Sequence, residues 1–196
     1  MNILLRSATP AGVCLLLAMA GCAPMTASTA YTPHVAARNT AARTTCTLRV
    51  VQVIDDRMDP SVLGNVGGRT VKGPPDAQAW LHSVIGGLRN TGIEVEFGDA
   101  EATSAALSAK AELKTAWVSS AATAKIASVV LNLQYFRSGT LIKSADYRGS
   151  ISTPNWSSGQ YEIQSMIDRA LEQALSQAAA DTLAACSAAV TASTQG

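Results

Sequence analysis

The sequence predicts an α+β domain, with two helices packed on one face of a mostly antiparallel sheet in the order β-α-β-β-β-β-α. Two observations predict this class. Residues 107–114 and 127–135 largely alternate apolar and polar residues, as strands with one buried face do, and the first of these strands is expected to continue through Trp117-Val118. Asp76–Asn90 and the segment from Ser157 onward instead carry apolar residues at helical spacing. Helices separated from the strands in this way favour an α+β architecture.

Residues 1–21 have the features of a bacterial lipoprotein signal peptide. Arg6 provides a positive charge, and the apolar run 11–19 precedes the small residues Ala20 and Gly21. This run is about half the ~20 residues of a membrane-spanning helix, which disfavours spanning. A cytosolic amino terminus is disfavoured because the run ends at Gly21-Cys22 and a polar tract follows. Residues 19–22, Met-Ala-Gly-Cys, resemble the lipobox, in which the cysteine carries the lipid. We therefore expect cleavage after Gly21 and lipidation of Cys22, which would anchor the chain to a membrane.

The residue after Cys22 bears on the compartment. Ala23 stands there rather than Asp, which resembles the default signal for outer-membrane sorting. The sequence thus predicts an outer-membrane lipoprotein that faces the periplasm, with the inner membrane left as the alternative. A net charge of +1 without a basic run makes nucleic acid an unexpected partner.

Composition divides the rest of the chain into three parts. Residues 22–45 are rich in Ala and Thr and contain prolines, which predicts a flexible linker. Residues 46–186 form the expected α+β domain, and residues 187–196 resemble a disordered tail. The linker is expected to set the reach of the domain above the bilayer.

Cysteine usage predicts a disulfide across the domain. Cys14 leaves with the signal peptide and Cys22 takes the lipid, so Cys46 and Cys186 remain in an oxidising compartment. A bridge between them would stabilise the fold by about 5 kcal/mol at most in the chain-entropy model. The alternative is that both are small buried hydrophobic residues that never meet.

Each element has its own local signal. A β-branched segment opens the domain, the first helix begins after two prolines and ends at Gly92, and Ser138-Gly139 marks a hairpin. Ser157 is expected to open the last helix, with Gln160 completing a capping box. The predicted elements are strand 48–54, helix 76–90, strand 93–97, strand 107–118, strand 127–135, strand 141–151 and a helix from 157.

A short motif after the first strand suggests a family. Asp55-Asp56-Arg57, Asp59 and residues 63–66 (Leu-Gly-Asn-Val), behind a lipobox and ahead of a helix, a strand and a long hairpin, resemble the YajG-type bacterial lipoproteins. The resemblance implies a fold similar to the amino-terminal domain of TolB. It also implies a small periplasm-facing outer-membrane lipoprotein with no catalytic residues to carry over.

The segment 64–70 (Gly-Asn-Val-Gly-Gly-Arg-Thr) invites comparison with a phosphate-binding loop. Its spacing is one residue short, Arg69 replaces the lysine, and the helix starts only near Asp76. A glycine-turned hairpin, in which Leu63 and Val66 pair toward Val71, explains the same residues. Because the connection from 55 to 75 is long, a contact role is favoured for it.

The acidic residues Asp55, Asp56 and Asp59 are the candidate ligands for a calcium ion. They lack the regular alternation and the closing glutamate of a dedicated loop, so pairing of Asp55 or Asp56 with Arg57 is favoured. The two histidines do not combine with other residues into a catalytic or metal-binding set. The sequence therefore predicts a non-catalytic protein without cofactor or metal.

The predicted function is an assembly or scaffold component of an envelope complex. The expected partners are the membrane, through the lipid, and another envelope protein. The candidate contact residues are Asp55, Asp56, Arg57 and Arg69. The alternative is a binding protein that holds a small lipid or glycan between sheet and helices. Trp117 and Trp156, near element ends, suit either core packing or a partner contact.

Overall fold

The computed structural model describes residues 25–26, 46–98, 107–156 and 159–193, with side chains described for residues 46–98, 107–156 and 159–188. The predicted signal peptide, Cys22 and most of the predicted linker lie outside the described residues, so these remain predictions.

Eight strands and two helices make up the described fold, and a 3-10 turn, Gly87–Thr91, follows the first helix. The strands are β1 Met25–Thr26, β2 Cys46–Asp55, β3 Val62–Val66, β4 Arg69–Lys72, β5 Ile93–Phe97, β6 Leu107–Ser120, β7 Ala124–Arg137 and β8 Thr140–Pro154, and the helices are α1 Ala77–Gly86 and α2 Gln160–Ser193.

The strands form a single mixed sheet built around β6. One edge of β6 pairs with β7 along its whole length, and β7 pairs with β8; both pairings are antiparallel. The other edge of β6 is shared, because β2 pairs in parallel with its first half and β3 in parallel with its second half. β5 extends the sheet beyond β2, and β4 followed by β1 extends it beyond β3.

The expectation of a mostly antiparallel sheet describes only part of this arrangement. Antiparallel pairing holds for β6-β7-β8 and for the β3–β4 hairpin, whereas the pairs β2–β5, β2–β6, β3–β6 and β1–β4 are parallel. Short turns join the antiparallel neighbours, whereas the long connection through β3, β4 and α1 carries the chain from β2 to β5, and strands joined by such a long crossover can pair in parallel. The sheet also contains β1, β3 and β4, three strands that the predicted order of elements does not include.

The connection from residue 55 to residue 75 is mostly this hairpin. Val66 pairs with Arg69 across the Gly67–Gly68 turn, and Leu63, Val66 and Val71 are fully buried in the core. Gly64 has φ 137°, and a Cβ at this position would overlap the backbone of Val118. The hairpin reading of residues 64–70 is therefore confirmed, and the segment belongs to the sheet rather than to an exposed loop.

Both helices cover one face of the sheet. The Asp76 side chain caps α1 by accepting from the Ala79 amide, and the chain leaves the following 3-10 turn at Gly92 in the left-handed region (φ 87°). Trp80, Leu81, Val84 and Ile85 form the buried face of α1. The predicted helix 76–90 thus exists, with its last turn tightened after Gly86.

α2 lies close against β8 and β7. A Cβ on Gly149 would overlap the backbone carbonyl of Ala170, so glycine is required where α2 crosses β8. A disulfide joins Cys46 to Cys186, with 5.7 Å between the Cα atoms, as the cysteine count predicts. The helix continues to Ser193, whereas the sequence places the start of a tail at Ser187.

Candidate functional site

Two of the four predicted contact residues are buried. Arg57 donates from Nε to Asp55 Oδ1 at 2.8 Å and from Nη2 to Asp55 Oδ2 at 2.6 Å, a two-point ion pair. The side chains are only 5% and 8% exposed, and the guanidinium lies 5.7 Å from the centre of the Trp80 ring. These charged groups thus pair with one another, and their role in partner contact stays a prediction.

Arg57 also fixes the turn that follows β2. Its guanidinium donates to the carbonyl oxygens of Pro60 at 3.0 Å and Val62 at 3.5 Å. The other two predicted residues, Asp56 and Arg69, are exposed, the first beside this turn and the second at the tip of the β3–β4 hairpin. The pairing of Asp55 with Arg57, favoured over a calcium site, is what the structure contains.

The turn held by Arg57 bridges a gap in the sheet. Along β6, the pairing with β2 ends at Asp55–Leu113, and the pairing with β3 begins at Gly64–Val118. A bulge interrupts the pairing of β6 with β7 at the same level, between Leu113 and Thr115. The turn therefore arches away from β6 and leaves a cleft against residues 114–117.

This feature, named here the Met58–Trp117 cleft, has a volume of about 350 Å³ and a mostly apolar lining. Met58 is fully exposed and Trp117 is 46% exposed, although both are large apolar side chains. The residues that line the cleft are Arg57, Met58, Asp59, Val62, Lys114, Thr115, Ala116 and Trp117.

Asp59 and Lys114 place a negative and a positive charge at the rim of the cleft. Hydrogen bonds from the Ser61 hydroxyl and amide hold the pKa of Asp59 below its ordinary value, so this carboxylate is charged at neutral pH. On the β6 side, Lys114 Nζ lies 3.8 Å from Asp146 and 4.0 Å from Glu112. The cleft is thus an apolar depression bordered by charges of both signs.

Sequence reasoning identified Trp117 but left its role open, and it missed Met58. A methionine between an arginine and an aspartate has no periodic signal, and its exposure depends on the arch of the turn. Trp117 lies on the side of the sheet away from the helices, because it pairs with Ser128 between the buried positions Ala116 and Val118.

A second group of polar side chains lies between α2 and the sheet. The Tyr147 hydroxyl donates to Asp181 Oδ2 at 2.7 Å and is 3.2 Å from the Tyr135 hydroxyl, which meets the Thr182 hydroxyl at 3.0 Å. Burial raises the pKa of both tyrosines. The hydrogen bond from Lys143 to Asp181, at 2.6 Å, lowers the pKa of Asp181. This Tyr135–Tyr147–Asp181 cluster links α2 to β7 and β8 through hydrogen bonds between side chains.

Within the described ranges, no group of three or more His, Cys, Asp or Glu side chains is placed to hold a metal ion. No helix in the part of the chain that the structure describes is both long and apolar enough to cross a bilayer.

The fold is similar to that of a known structure. Protein XCC0632 from Xanthomonas campestris, described with the family model DUF330, is 15% identical, with 85% of this chain and 98% of that chain covered and a TM-score of 0.57. Lipoprotein GNA1162 from Neisseria meningitidis is 12% identical, with 65% and 96% covered and a TM-score of 0.36. The hypothetical protein CT253 from Chlamydia trachomatis is 10% identical, with 71% and 99% covered and a TM-score of 0.44.

By sequence, the chain matches no family model and no curated protein. The resemblance to YajG-type lipoproteins therefore stays a prediction. The fold, in contrast, is shared with the Xanthomonas protein over nearly that protein's whole length.

Proposed function

We propose that this protein is a non-catalytic envelope lipoprotein, anchored by Cys22 to the periplasmic face of the outer membrane, that docks onto another envelope protein through the Met58–Trp117 cleft. The observation that carries the docking role is the exposure of Met58 and Trp117 around one apolar cleft. Exposed apolar patches with polar rims are typical of contact sites, and tryptophan is enriched at their centres.

The cleft suits an apolar side chain of a protein better than a small free ligand. Ligand pockets bury most of the ligand surface, whereas one wall of this cleft is the fully exposed Met58. Methionine adapts its shape to a partner, and the charges of Asp59 and Lys114 can orient that partner at the rim. A lipid anchor raises the local concentration of membrane-bound partners, so a modest affinity would suffice.

Binding of a small lipid or glycan is the second candidate function. It is supported by the apolar lining and by a volume within the range of small-ligand pockets, about 300–1,000 Å³. The two functions differ in what a photoreactive group in the cleft would capture, which is a protein for docking and a small molecule for ligand binding.

Site-specific photocrosslinking in intact envelopes separates these functions. A photoreactive amino acid is placed at Met58 or Trp117 in the full-length chain, and at Leu141 as control, an exposed apolar residue at the opposite end of the sheet. Docking predicts one discrete protein adduct at positions 58 and 117 and little at 141. Equal adducts at all three positions would contradict docking, and a mass increase of lipid or glycan size would favour the second function.

The anchor has its own test. Cys22→Ala should move the protein from the membrane to the soluble envelope fraction, because the acyl chains are the expected attachment. The control is a Cys46→Ala/Cys186→Ala variant, which loses the disulfide but should remain membrane-bound. Continued sedimentation of the Cys22→Ala protein with membranes would refute lipid anchoring.

A further inference from the structure

Several independent contacts gather one end of the sheet into a single surface. The Gly67 amide at the β3–β4 turn donates to the Ser120 hydroxyl at the end of β6. Asn155, just after β8, donates from its backbone to Thr123 and from its side chain to Ala121, both in the β6–β7 turn. We name this surface the turn end; it consists of residues 67–69, 121–123 and 155–156 and the start of α2.

The first turn of α2 belongs to the same surface. Glu162 meets the fully buried Lys125 at 2.6 Å, which fixes the helix start to the first residues of β7. Trp156 and Tyr161 flank this start and are 90% and 93% exposed. Two large aromatic side chains, five positions apart in sequence, are thus presented to solvent at this end of the sheet.

The opposite end of the sheet carries different exposed residues. Around the β7–β8 turn, Ser138–Gly139, the exposed apolar side chains are the aliphatic Leu141 and Ile142. The disulfide and the contact of Arg137 with the Ala185 carbonyl also lie at this far end. Tryptophan and tyrosine, unlike leucine and isoleucine, are enriched where a protein meets the headgroup layer of a bilayer, because one part of the ring is apolar and another is polar.

The strand β1 leads the amino-terminal segment to the turn end. Met25 pairs with Val71 and Thr26 with Lys72, in parallel. Since β4 starts at the β3–β4 turn, a parallel β1 receives the chain from the side of that turn. Cys22 precedes Met25 by three residues, and three Cα–Cα steps of about 3.8 Å limit the separation to about 11 Å.

Chain length is consistent with this route. The segment 27–45 spans about 65 Å when extended, longer than the about 48 Å of the 14-residue β6. It can therefore connect β1, near the turn end, with Cys46 at the far end. Between the proposed lipid on Cys22 and β1, the sequence then has only residues 23 and 24.

From this juxtaposition we infer that the domain rests on the phospholipid bilayer through its turn end, with Trp156 and Tyr161 in the headgroup layer. The inference depends on the proposed lipid at Cys22 and adds an orientation to it. The Met58–Trp117 cleft is then held at a fixed height above the membrane, where a membrane-bound partner can reach it.

Quenching by brominated lipids tests the orientation in the lipidated full-length protein, reconstituted in vesicles of phosphatidylethanolamine and phosphatidylglycerol. Bromines on the acyl chains quench only tryptophans that enter the bilayer. The intact protein should be quenched, and Trp156→Phe should lose most of that quenching, because Trp156 is the ring expected to enter the headgroup layer. A Leu141→Trp protein, with its added ring at the far end, should show no additional quenching.

The outcomes distinguish the orientation from the anchor. Protein that floats with the vesicles, but whose quenching is unchanged by Trp156→Phe, would overturn the orientation and leave the anchor intact. Additional quenching by Leu141→Trp equal to that of Trp156 would also overturn the orientation, because both ends would then contact lipid. Failure of the lipidated protein to float would overturn the anchor and the orientation together.

Disulfide trapping tests the route of the chain. A Thr26→Cys/Lys72→Cys protein should close a new disulfide under mild oxidation, because these residues are direct partners in the parallel pair. The control, Thr26→Cys/Leu141→Cys, joins β1 to the far end and should stay reduced. Comparable trapping in both proteins would show a long free tether and contradict the inference.

Discussion

The Tyr135–Tyr147–Asp181 cluster and the Met58–Trp117 cleft differ in what they leave open. In the cluster, the buried tyrosine hydroxyls bond to one another and to side chains of α2. In the cleft, apolar side chains face solvent beside a gap in the sheet. The groups with the most recognisable chemistry therefore hold the fold, whereas the exposed methionine and tryptophan are suited to contact.

Like the cluster, the Asp55–Arg57 pair is a buried polar contact that holds the fold, and its removal has the largest expected effect on stability. Arg57→Ala would leave the Asp55 carboxylate buried without its partner, which costs about 3–5 kcal/mol in the free energy of unfolding. Urea denaturation measures this change in the free energy of unfolding. Arg49→Ala is the matched control, since its pair with Glu96 is 37% and 47% exposed and should contribute about 1 kcal/mol or less. Equal effects would show that Arg57 is not structural.

The second prediction concerns the contact between α2 and β8. Gly149→Ala should lower the free energy of unfolding by about 3 kcal/mol, because the added methyl group overlaps the Ala170 carbonyl and α2 must shift. Gly159→Ala is the control, since a Cβ there meets no atom within 4 Å. Thermal unfolding followed by circular dichroism compares the two. A Gly149→Ala protein as stable as the control would contradict the close approach.

The elements were predictable to the extent that their signals are local. Alternation predicted β6 and β7, helical spacing predicted α1, and the hairpin at Ser138-Gly139 follows from its turn residues. The disulfide was predictable because the predicted signal peptide and the predicted lipid account for the other two cysteines. In each case the information lies within one segment or in a residue count.

Pairing between distant strands could not be predicted in this way. Alternation specifies which face of a strand is buried but not which strand lies beside it, so the division of one edge of β6 between β2 and β3 left no local trace. The cleft exists only because of that division. Asp55 and Arg57 were predicted as contact residues and as a possible pair, but the burial of their side chains depends on the packing of Arg57 against Trp80, which no local signal shows.

The third prediction concerns the cluster and has a smaller effect. Tyr147→Phe removes the hydroxyl that donates to Asp181 and should cost about 1–2 kcal/mol at neutral pH. The folded-state pKa of Tyr147 lies above its ordinary value of 10.0, so its contribution is complete below pH 10 and is lost as the pH rises above that value. The wild-type protein should therefore lose stability at alkaline pH more steeply than Tyr147→Phe.

Asp181 should make the stability of the protein depend on pH at the acidic end of the range. Its folded-state pKa lies below the ordinary value of 3.8, so its contribution is present above pH 3.8 and is lost as the pH falls below it. Denaturation at a series of pH values checks both directions. Identical pH profiles for wild type, Tyr147→Phe and Asp181→Asn would show that these groups do not titrate with folding.

The smallest effect on stability is expected at Met58, and it completes the comparison. Met58→Ser removes a side chain that is fully exposed, so the free energy of unfolding should change by no more than about 0.5 kcal/mol. In envelopes, the same change should weaken the discrete adduct formed from a photoreactive group at position 117. If Met58→Ser weakens crosslinking without lowering stability, the Met58 side chain serves partner binding. Loss of stability with unchanged crosslinking would instead place Met58 with Arg57 among the residues that hold the turn.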